Sequence, residues 1–381
     1  MSFIKKIILF IIFIILFYIL FRLIQKRTEI LDVLRDDRPV VEGLSCISDI
    51  TNAKVKKILD SNSIGQIVDN LSSKGYYKGS DTINNYHIKA SYNSAFDGKD
   101  ITKDMLLYVL YRGYRFLDFE VYYDMVSGEK SEIKKAVVSY KDSYTTANVN
   151  VPLKDLLDII NLHAFSNVNN KDDPLFIQLR PIYNIPTSSD LDEDRSKKIG
   201  ENTQFNTQIE SALSTISSSY KYSGSLIPTT QMKNLLKKTV IVMDKESNSL
   251  LNNKTVELKT MINMTPSDMT LCNAESKLEE CKNSANSQKL IQVNPTDSSN
   301  QPLTQNPDAL NIISKTSCNI CPMMAWMSSY IGGFSSAGLS QLGDYETMFL
   351  KAGGSAFVLL SEAKSYSTLN NPSKVNGSQY Y

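Results

Sequence analysis

Asp118 and Glu120 lie two residues apart in "YRFLDFEVYY", Tyr114 to Tyr123, a run rich in aromatic residues. Such a run reads as a strand, and residues i and i+2 of a strand share a face. Phe116, Asp118, Glu120 and Tyr122 then point one way, and Leu117, Phe119 and Val121 the other. Two carboxylates near the C-terminal end of a strand suit a cation site at the mouth of a barrel. Hard oxygen ligands favour calcium or magnesium. The competing reading is a pair of carboxylates in a salt-bridge network.

Little else in the chain offers acid–base chemistry. Of 381 residues only two are histidine, His87 and His163. Histidine is the usual proton carrier near neutral pH, so a Ser-His-Asp triad or a multi-histidine zinc site has little to build from. The cysteines are Cys46, Cys272, Cys281, Cys318 and Cys321. Cys318 and Cys321 form a single CxxC, open to a zinc hook, a local disulfide or redox pair, or plain thiols, since structural zinc usually needs two such pairs. Cys272 and Cys281 flank a helix-like stretch, and their spacing does not imply a bond. A formal net charge of +1 predicts no strong pull toward nucleic acid.

The elements that must position these groups begin after an apolar segment. "IILFIIFIILFYILFRLI", Ile7 to Ile24, contains one charge, Arg22. At ~1.5 Å per residue it spans roughly the ~30 Å hydrocarbon core, and Arg22 can snorkel. A cleaved signal peptide needs a shorter apolar core and a small-residue cleavage site. Residues 1–27 are therefore expected to be a single transmembrane anchor, placing the chain in a membrane. Lys5 and Lys6 before it nearly balance Arg22, Lys26 and Arg27 after it, so charge assigns no side. The sequons at Asn70, Asn253 and Asn263 would matter only in a lumenal or extracellular setting.

Residues 28–80 read as a stalk containing Pro39, followed by one or two helices. From Tyr86 onward strands and helices alternate. "YHIKASY" is a strand, Thr102 to Gly113 a helix with a closing glycine, and "YRFLDFEVYY" and "AVVSYK" strands. "PLKDLLDIINLHAF" is an amphipathic helix, and "PLFIQLRPIY", Thr239 to Met243 and Ala356 to Glu362 are strands. Looser Ser- and Asn-rich inserts are expected near 187–230, with one helix around "TQIESALSTISSSY", and near 268–310. Residues 366–381 read as a flexible tail. The alternation predicts an α/β fold whose parallel sheet is covered by helices. About eight strands over 81–365 fit a TIM-barrel-like (β/α)8 domain.

"YHIKASYNSAF", "YVLYRGYRFLDFEVYY", "AVVSYKDSYTT", "LKDLLDIINLHAFSN" and "DPLFIQLRPIY" follow one another in an order and spacing that resembles the X region of phosphatidylinositol-specific phospholipases C. The resemblance covers roughly residues 84–183 and continues weakly through "KKTVIVMDKE". It implies a TIM-barrel-like phosphodiesterase fold. Two histidines act as base and acid in that family, and its calcium-dependent members bind the metal through an asparagine and acidic residues. Here the asparagine corresponds to Asn93, and the acidic pair to Asp118 and Glu120. Tyr92 and Tyr140 stand where the catalytic histidines would be. Arg180 stands where a further acidic ligand would be, and Lys245 corresponds to a phosphate-binding lysine.

These departures set the expectation for function. Tyrosine, with a pKa of about 10 against histidine's 6.5, is a poor base near neutral pH. A guanidinium beside a divalent ion at ~4 Å would be repelled by several kcal/mol at an intermediate dielectric. Arg180 could instead bridge Asp118 and Glu120 and take the ion's structural place. His87 lies an odd number of residues before Tyr92, on the other strand face, and His163 lies on a helix, so both read as packing residues. The expected protein is a membrane-anchored, inactive phospholipase-C-like binding or structural module with no cofactor. Calcium enters only if the remnant site binds it. A phosphorylated lipid headgroup, met by Arg180 and Lys245, or a protein would be its partner. The alternative is an active phosphoric diester hydrolase with a non-standard acid–base pair.

Overall fold

The computed structural model describes residues 69–243 and 256–265, apart from 76, 92, 98–99, 131–132, 142–145, 188 and 228. It also describes 269–272, 290–293, 320–325, 349–350 and 354–359. The apolar segment 7–24, the stalk and its helices up to residue 68, Tyr92, Lys245 and the tail lie outside the described residues. Among the described residues no helix is long and apolar enough to cross a membrane.

The described strands form one mixed sheet. In chain order they are β1 (Tyr86–Ser91), β2 (Phe116–Met125), β3 (Lys134–Val138), β4 (Val151–Pro152), β5 (Leu175–Ile182), β6 (Thr239–Val242), β7 (Met269–Cys272), β8 (Leu290–Val293), β9 (Ile320–Ala325) and β10 (Phe357–Leu359). Among the described residues the helices of six residues or more are α1 (Lys103–Tyr111), α2 (Leu153–His163), α3 (Asp192–Ser214) and α4 (Val256–Met261).

The parallel strands follow chain order across the sheet. β1 pairs with β2, β2 with β5, and β5 with β6. Val242 of β6 then bridges to Met264 in the parallel sense. β7 pairs with β8, β8 with β9, and β9 returns to β1 over its whole length, Tyr86 facing Ile320 and Ser91 facing Ala325. Between Met264 and β7 no pairing joins the described residues.

Two expected strands are present but run the other way. β3, which begins two residues before the "AVVSYK" stretch and overlaps it, folds back antiparallel on β2, and β4 pairs with β3. β2 is ten residues long and outruns its parallel neighbours, so its far end takes a hairpin partner. β10 lies antiparallel along the first half of β1. The stretch near 268–310, expected to be a loose insert, contributes β7 and β8. The stretch near 187–230 contains α3, whose 23 residues begin well before the expected helix.

Alternation along the strands divides the core. Leu117, Phe119, Val121, Leu175, Ile177, Leu179 and Ile241 face the helices, with Leu106, Leu110, Leu157, Ile160, Phe205 and Ile209 packed against them. Ile88, Ala90, Phe116, Phe176, Val240 and Val242 form a second apolar cluster on the other face. There Phe116 and Phe176 stack with ring centroids 5.8 Å apart, a favourable offset geometry. Beyond this pair, toward the strand C-termini, the same face turns polar at Asp118, Glu120, Gln178 and Arg180.

Local chemistry sets the boundaries. Thr102 caps α1, its Oγ1 accepting from Met105 N at 3.1 Å, which satisfies one otherwise orphaned helix donor. Gly113 follows with φ +80, the left-handed conformation that closes helices. Gln208 on α3 reaches the edge of β3, accepting from Ala136 N at 2.6 Å and donating to Lys134 O at 3.0 Å. It acts as a one-residue strand. Gln208→Ala strips both bonds from a half-buried edge and is expected to cost about 1–2 kcal/mol in chemical denaturation.

At the N-terminal ends of β2 and β5 a buried polar cluster holds the segment Asp69–Lys74. Arg115 is fully buried and donates to Ala164 O at 2.9 Å, to Asn170 Oδ1 at 3.0 Å and to Asn170 O. Asp173 is fully buried too, and its Oδ1 accepts from Leu71 N at 2.6 Å. Asp172 accepts from Asn70 Nδ2 at 3.1 Å and pairs with Lys237 at 2.8 Å. Gly354 has φ +63, and a Cβ there would stand 3.1 Å from Lys74 Nζ. Burial pushes the Asp173 carboxyl up to about 7, against the opposing pull of Arg115 and the Leu71 N–H. Burial also lowers Arg115 to about 10.

Candidate functional site

The site is built at the C-terminal ends of β1, β2 and β5, where parallel sheets commonly place function. β1 ends at Ser91, and the chain turns through Asn93, whose φ is +46. Asparagine tolerates this left-handed backbone better than most residues. The turn is stitched to β2 around Asp118. Ser94 N donates to Asp118 O at 2.9 Å. Asp118 N donates to Ser94 Oγ at 3.0 Å, and that hydroxyl donates to Ser91 O at 3.1 Å. Asn93 N donates to Asp118 Oδ2 at 3.1 Å.

Register brings the arginine in. Asp118 stands beside Gln178, and Glu120 beside Arg180, in the parallel β2–β5 pair, and partnered residues share a face. Arg180 Nε donates to Asp118 Oδ1 at 2.9 Å, and Nη2 donates to Asp118 Oδ2 at 3.0 Å. Nη1 donates to Glu120 Oε2 at 3.0 Å, and Nη2 also reaches Asn93 Oδ1 at 2.7 Å. The grip on Asp118 is two-pronged, the strong form of a charge-assisted pair. Tyr122 donates its hydroxyl to Glu120 Oε1. Asp118, Glu120 and Asn93 are buried, while the Arg180 side chain keeps 26% of its surface exposed. Asn93 Nδ2 is buried and has no hydrogen-bond partner among the described residues.

Sequence reasoning thus placed Asn93, Asp118, Glu120 and Arg180 in one site, and the structure brings all four together. The suggested bridge of Arg180 across both carboxylates is the observed geometry. Tyr140 follows β3, is half-buried, and packs on Phe96 with ring centroids 4.7 Å apart. Phe96 N closes the Asn93 turn by donating to Asn93 O at 2.9 Å, so Tyr140 is attached to the same turn. Tyr92 and Lys245 lie outside the described residues, as does the side chain of His87. His163 is buried in the last turn of α2, with Nδ1 3.2 Å from Asn167 Nδ2, on the helix side of the sheet. Tyr122 was placed on the face of Asp118 and Glu120 by alternation, whereas Ser94 and Gln178 were not singled out. A serine three residues past the end of β1 carries no periodic signal, and Gln178 becomes visible only through its register with Asp118.

The family resemblance implies a divalent cation here, and the donor set decides whether one fits. Calcium takes six to eight oxygens at roughly 2.3–2.6 Å. Asp118 Oδ1 and Oδ2, Glu120 Oε2 and Asn93 Oδ1 all accept from the Arg180 guanidinium. Among the described residues no group of three or more His, Cys, Asp or Glu is arranged to hold a metal. These residues do not fit a divalent cation while Arg180 is in place. Two carboxylates and one guanidinium leave one negative charge, which also gives an incoming phosphate little attraction. A phosphate would reach Arg180 only on its exposed side.

No protein-family model matches the sequence, and no curated protein matches it. Among solved structures the fold is similar to those of phospholipases C. PLC21 of S. officinalis matches at 14% identity and a TM-score of 0.45, over 76% of this chain and 38% of that one. PLC21 of L. pealei matches at 13% and 0.44, over 74% and 38%. A calcium-dependent phosphoinositol-specific phospholipase C from a Gram-negative Pseudomonas species matches at 9% and 0.34, over 72% and 97%. The chain spans well under half the length of the two PLC21 structures.

Proposed function

We propose that this chain is a membrane-anchored phospholipase-C-like domain without hydrolytic activity, serving as a binding or structural module. The observation that carries the proposal is the Arg180 guanidinium, hydrogen-bonded to Asp118, Glu120 and Asn93. A fixed cation from the protein replaces the exchangeable one, so the site holds its shape and lacks a Lewis acid. Tyrosines stand at the family's histidine positions, Tyr92 and Tyr140, and a tyrosine, ordinarily protonated near neutral pH, is a poor base there. The chemistry needs no calcium and no other cofactor, because none is performed. The anchor is the apolar segment Ile7 to Ile24.

A closed (β/α)8 barrel is part of this reading. Its support is the strand order, in which the last parallel strand, β9, pairs with the first, β1. The Val242–Met264 bridge supplies an eighth parallel position between β6 and β7. An open doubly wound sheet would not return its last strand to its first.

The test is turnover. The full chain is incubated with phosphatidylinositol vesicles, with and without calcium, and inositol phosphate release is measured beside Asp118→Asn. The expected result is release at the background rate in every sample. Calcium-dependent release abolished by Asp118→Asn would make the chain an active phosphoric diester hydrolase and end the proposal.

A further inference from the structure

On the helix side of the sheet, opposite the face that carries Arg180, a cavity of about 270 Å³ lies between the end of α3, β6 and α4. Its inner walls are aliphatic: Leu213, Ile216 and Ile241 are all buried. Two polar groups matter on its wall. The Asn263 amide is spoken for, accepting from Ile241 N at 2.7 Å and donating to Tyr222 O at 3.1 Å and Gly224 O at 2.9 Å. The Thr239 hydroxyl is not. Thr239 is 2% exposed, lines the cavity, and its Oγ1 has no hydrogen-bond partner among the described residues. A buried hydroxyl left this way is costly unless something fills its place. Beside Thr239, to which it is bridged in the parallel sense, stands Lys221, half-buried and in no ion pair among the described residues.

Size and polarity together select a ligand class. A cavity of ~150 Å³ accommodates benzene, so this one holds on the order of ten heavy atoms. The lining offers aliphatic contact, the buried and unpartnered Thr239 hydroxyl among its hydroxyl groups, and the Lys221 ammonium. We propose that this cavity binds a medium-chain fatty acid, its alkyl chain against Leu213, Ile216 and Ile241 and its carboxylate between the Thr239 hydroxyl and Lys221. A neutral amphiphile of the same length would fill the walls but forgo the charge. The site is independent of the Arg180 cluster and of whether that cluster is active.

The test is a titration of the full chain with octanoate labelled at its carboxyl carbon, followed by the carboxyl NMR shift. Octanol serves as the uncharged comparison, competed against the labelled acid. Saturable binding is expected, weakened roughly threefold to fivefold in Lys221→Gln, the size of an exposed ion pair. Ile216→Trp, which fills the cavity, is expected to abolish saturation, with its fold checked by circular dichroism. If that variant does not fold, the octanol arm decides. Octanol should compete more weakly than unlabelled octanoate in the native chain and equally in Lys221→Gln. No saturable shift in the native chain, or an unchanged affinity in Lys221→Gln, overturns the proposal.

Discussion

An Arg180→Met chain is expected to lose about 3 kcal/mol of folding stability, toward the lower end of the ~3–5 kcal/mol seen when one partner of a buried ion pair is removed. Methionine keeps much of the side-chain length but none of the donors. Asp118 would remain fully buried and Glu120 nearly so, their charges no longer compensated, and Asn93 Oδ1 would lose the Nη2 bond. The lower end applies because a quarter of the Arg180 side chain is exposed, so water can partly replace the guanidinium. Chemical denaturation of the two chains measures the loss. A second change, Asp118→Asn, should recover part of it in the Arg180→Met background while being destabilising alone. That non-additivity is the signature of a direct pair. Additive effects would mean that Arg180 and Asp118 stabilise the fold separately.

The second large effect is a pH dependence centred on Asp173. Its carboxyl is raised from 3.8 to about 7, chiefly by burial. The folded chain therefore binds a proton more tightly than the unfolded chain does. Stability from this group is fully present below about pH 4 and is lost as pH rises toward 7. Three pKa units correspond to on the order of 4 kcal/mol. Arg115, Lys74 and the Leu71 N–H favour the charged form, and Asp172 opposes it. Asp173→Asn removes the titration and keeps an oxygen for Leu71 N. The native chain should lose stability between pH 4 and pH 7 by an amount that Asp173→Asn does not. Parallel stability profiles for the two chains across that window would contradict the assignment.

How far the sequence could be read depended on whether a residue's role was local or tertiary. The alternation in β2 put Asp118 and Glu120 on one face without help from any other element. Arg180 and Asn93 came in only through the family resemblance; what brings Arg180 onto the face of Asp118 and Glu120 is the β2–β5 register, which the sequence does not show. Strand direction is not written in alternation, so β3 and β10 were recognised as strands while their antiparallel pairing was not. β7 and β8 are four-residue runs, "MTLC" and "LIQV", inside Asn- and Ser-rich sequence, too short to show a period. The first half of α3 is polar almost throughout. Its buried residues, Asn202, Phe205, Asn206, Ile209, Ala212 and Leu213, begin only ten residues in. The acidic run Asp192–Glu193–Asp194 was the available start signal, favourable at a helix N-terminus. Arg115, Asp172 and Asp173 carry no local signal that sets them apart. Their roles are tertiary: Arg115 bonds to Ala164 and Asn170, and Asp172 and Asp173 hold Asn70 and Leu71.

The central claim is that Arg180 stands in the place of a cation. Calorimetric titration of calcium into the native chain and an Arg180→Gly chain, side by side, tests it most directly. The account predicts no heat of binding above background in the native chain. It predicts a new saturable site in Arg180→Gly, where Asp118, Glu120 and Asn93 Oδ1 are released, and its loss in the double variant with Asp118→Asn. Calcium binding to the native chain with Arg180 intact, removed by Asp118→Asn, would contradict it.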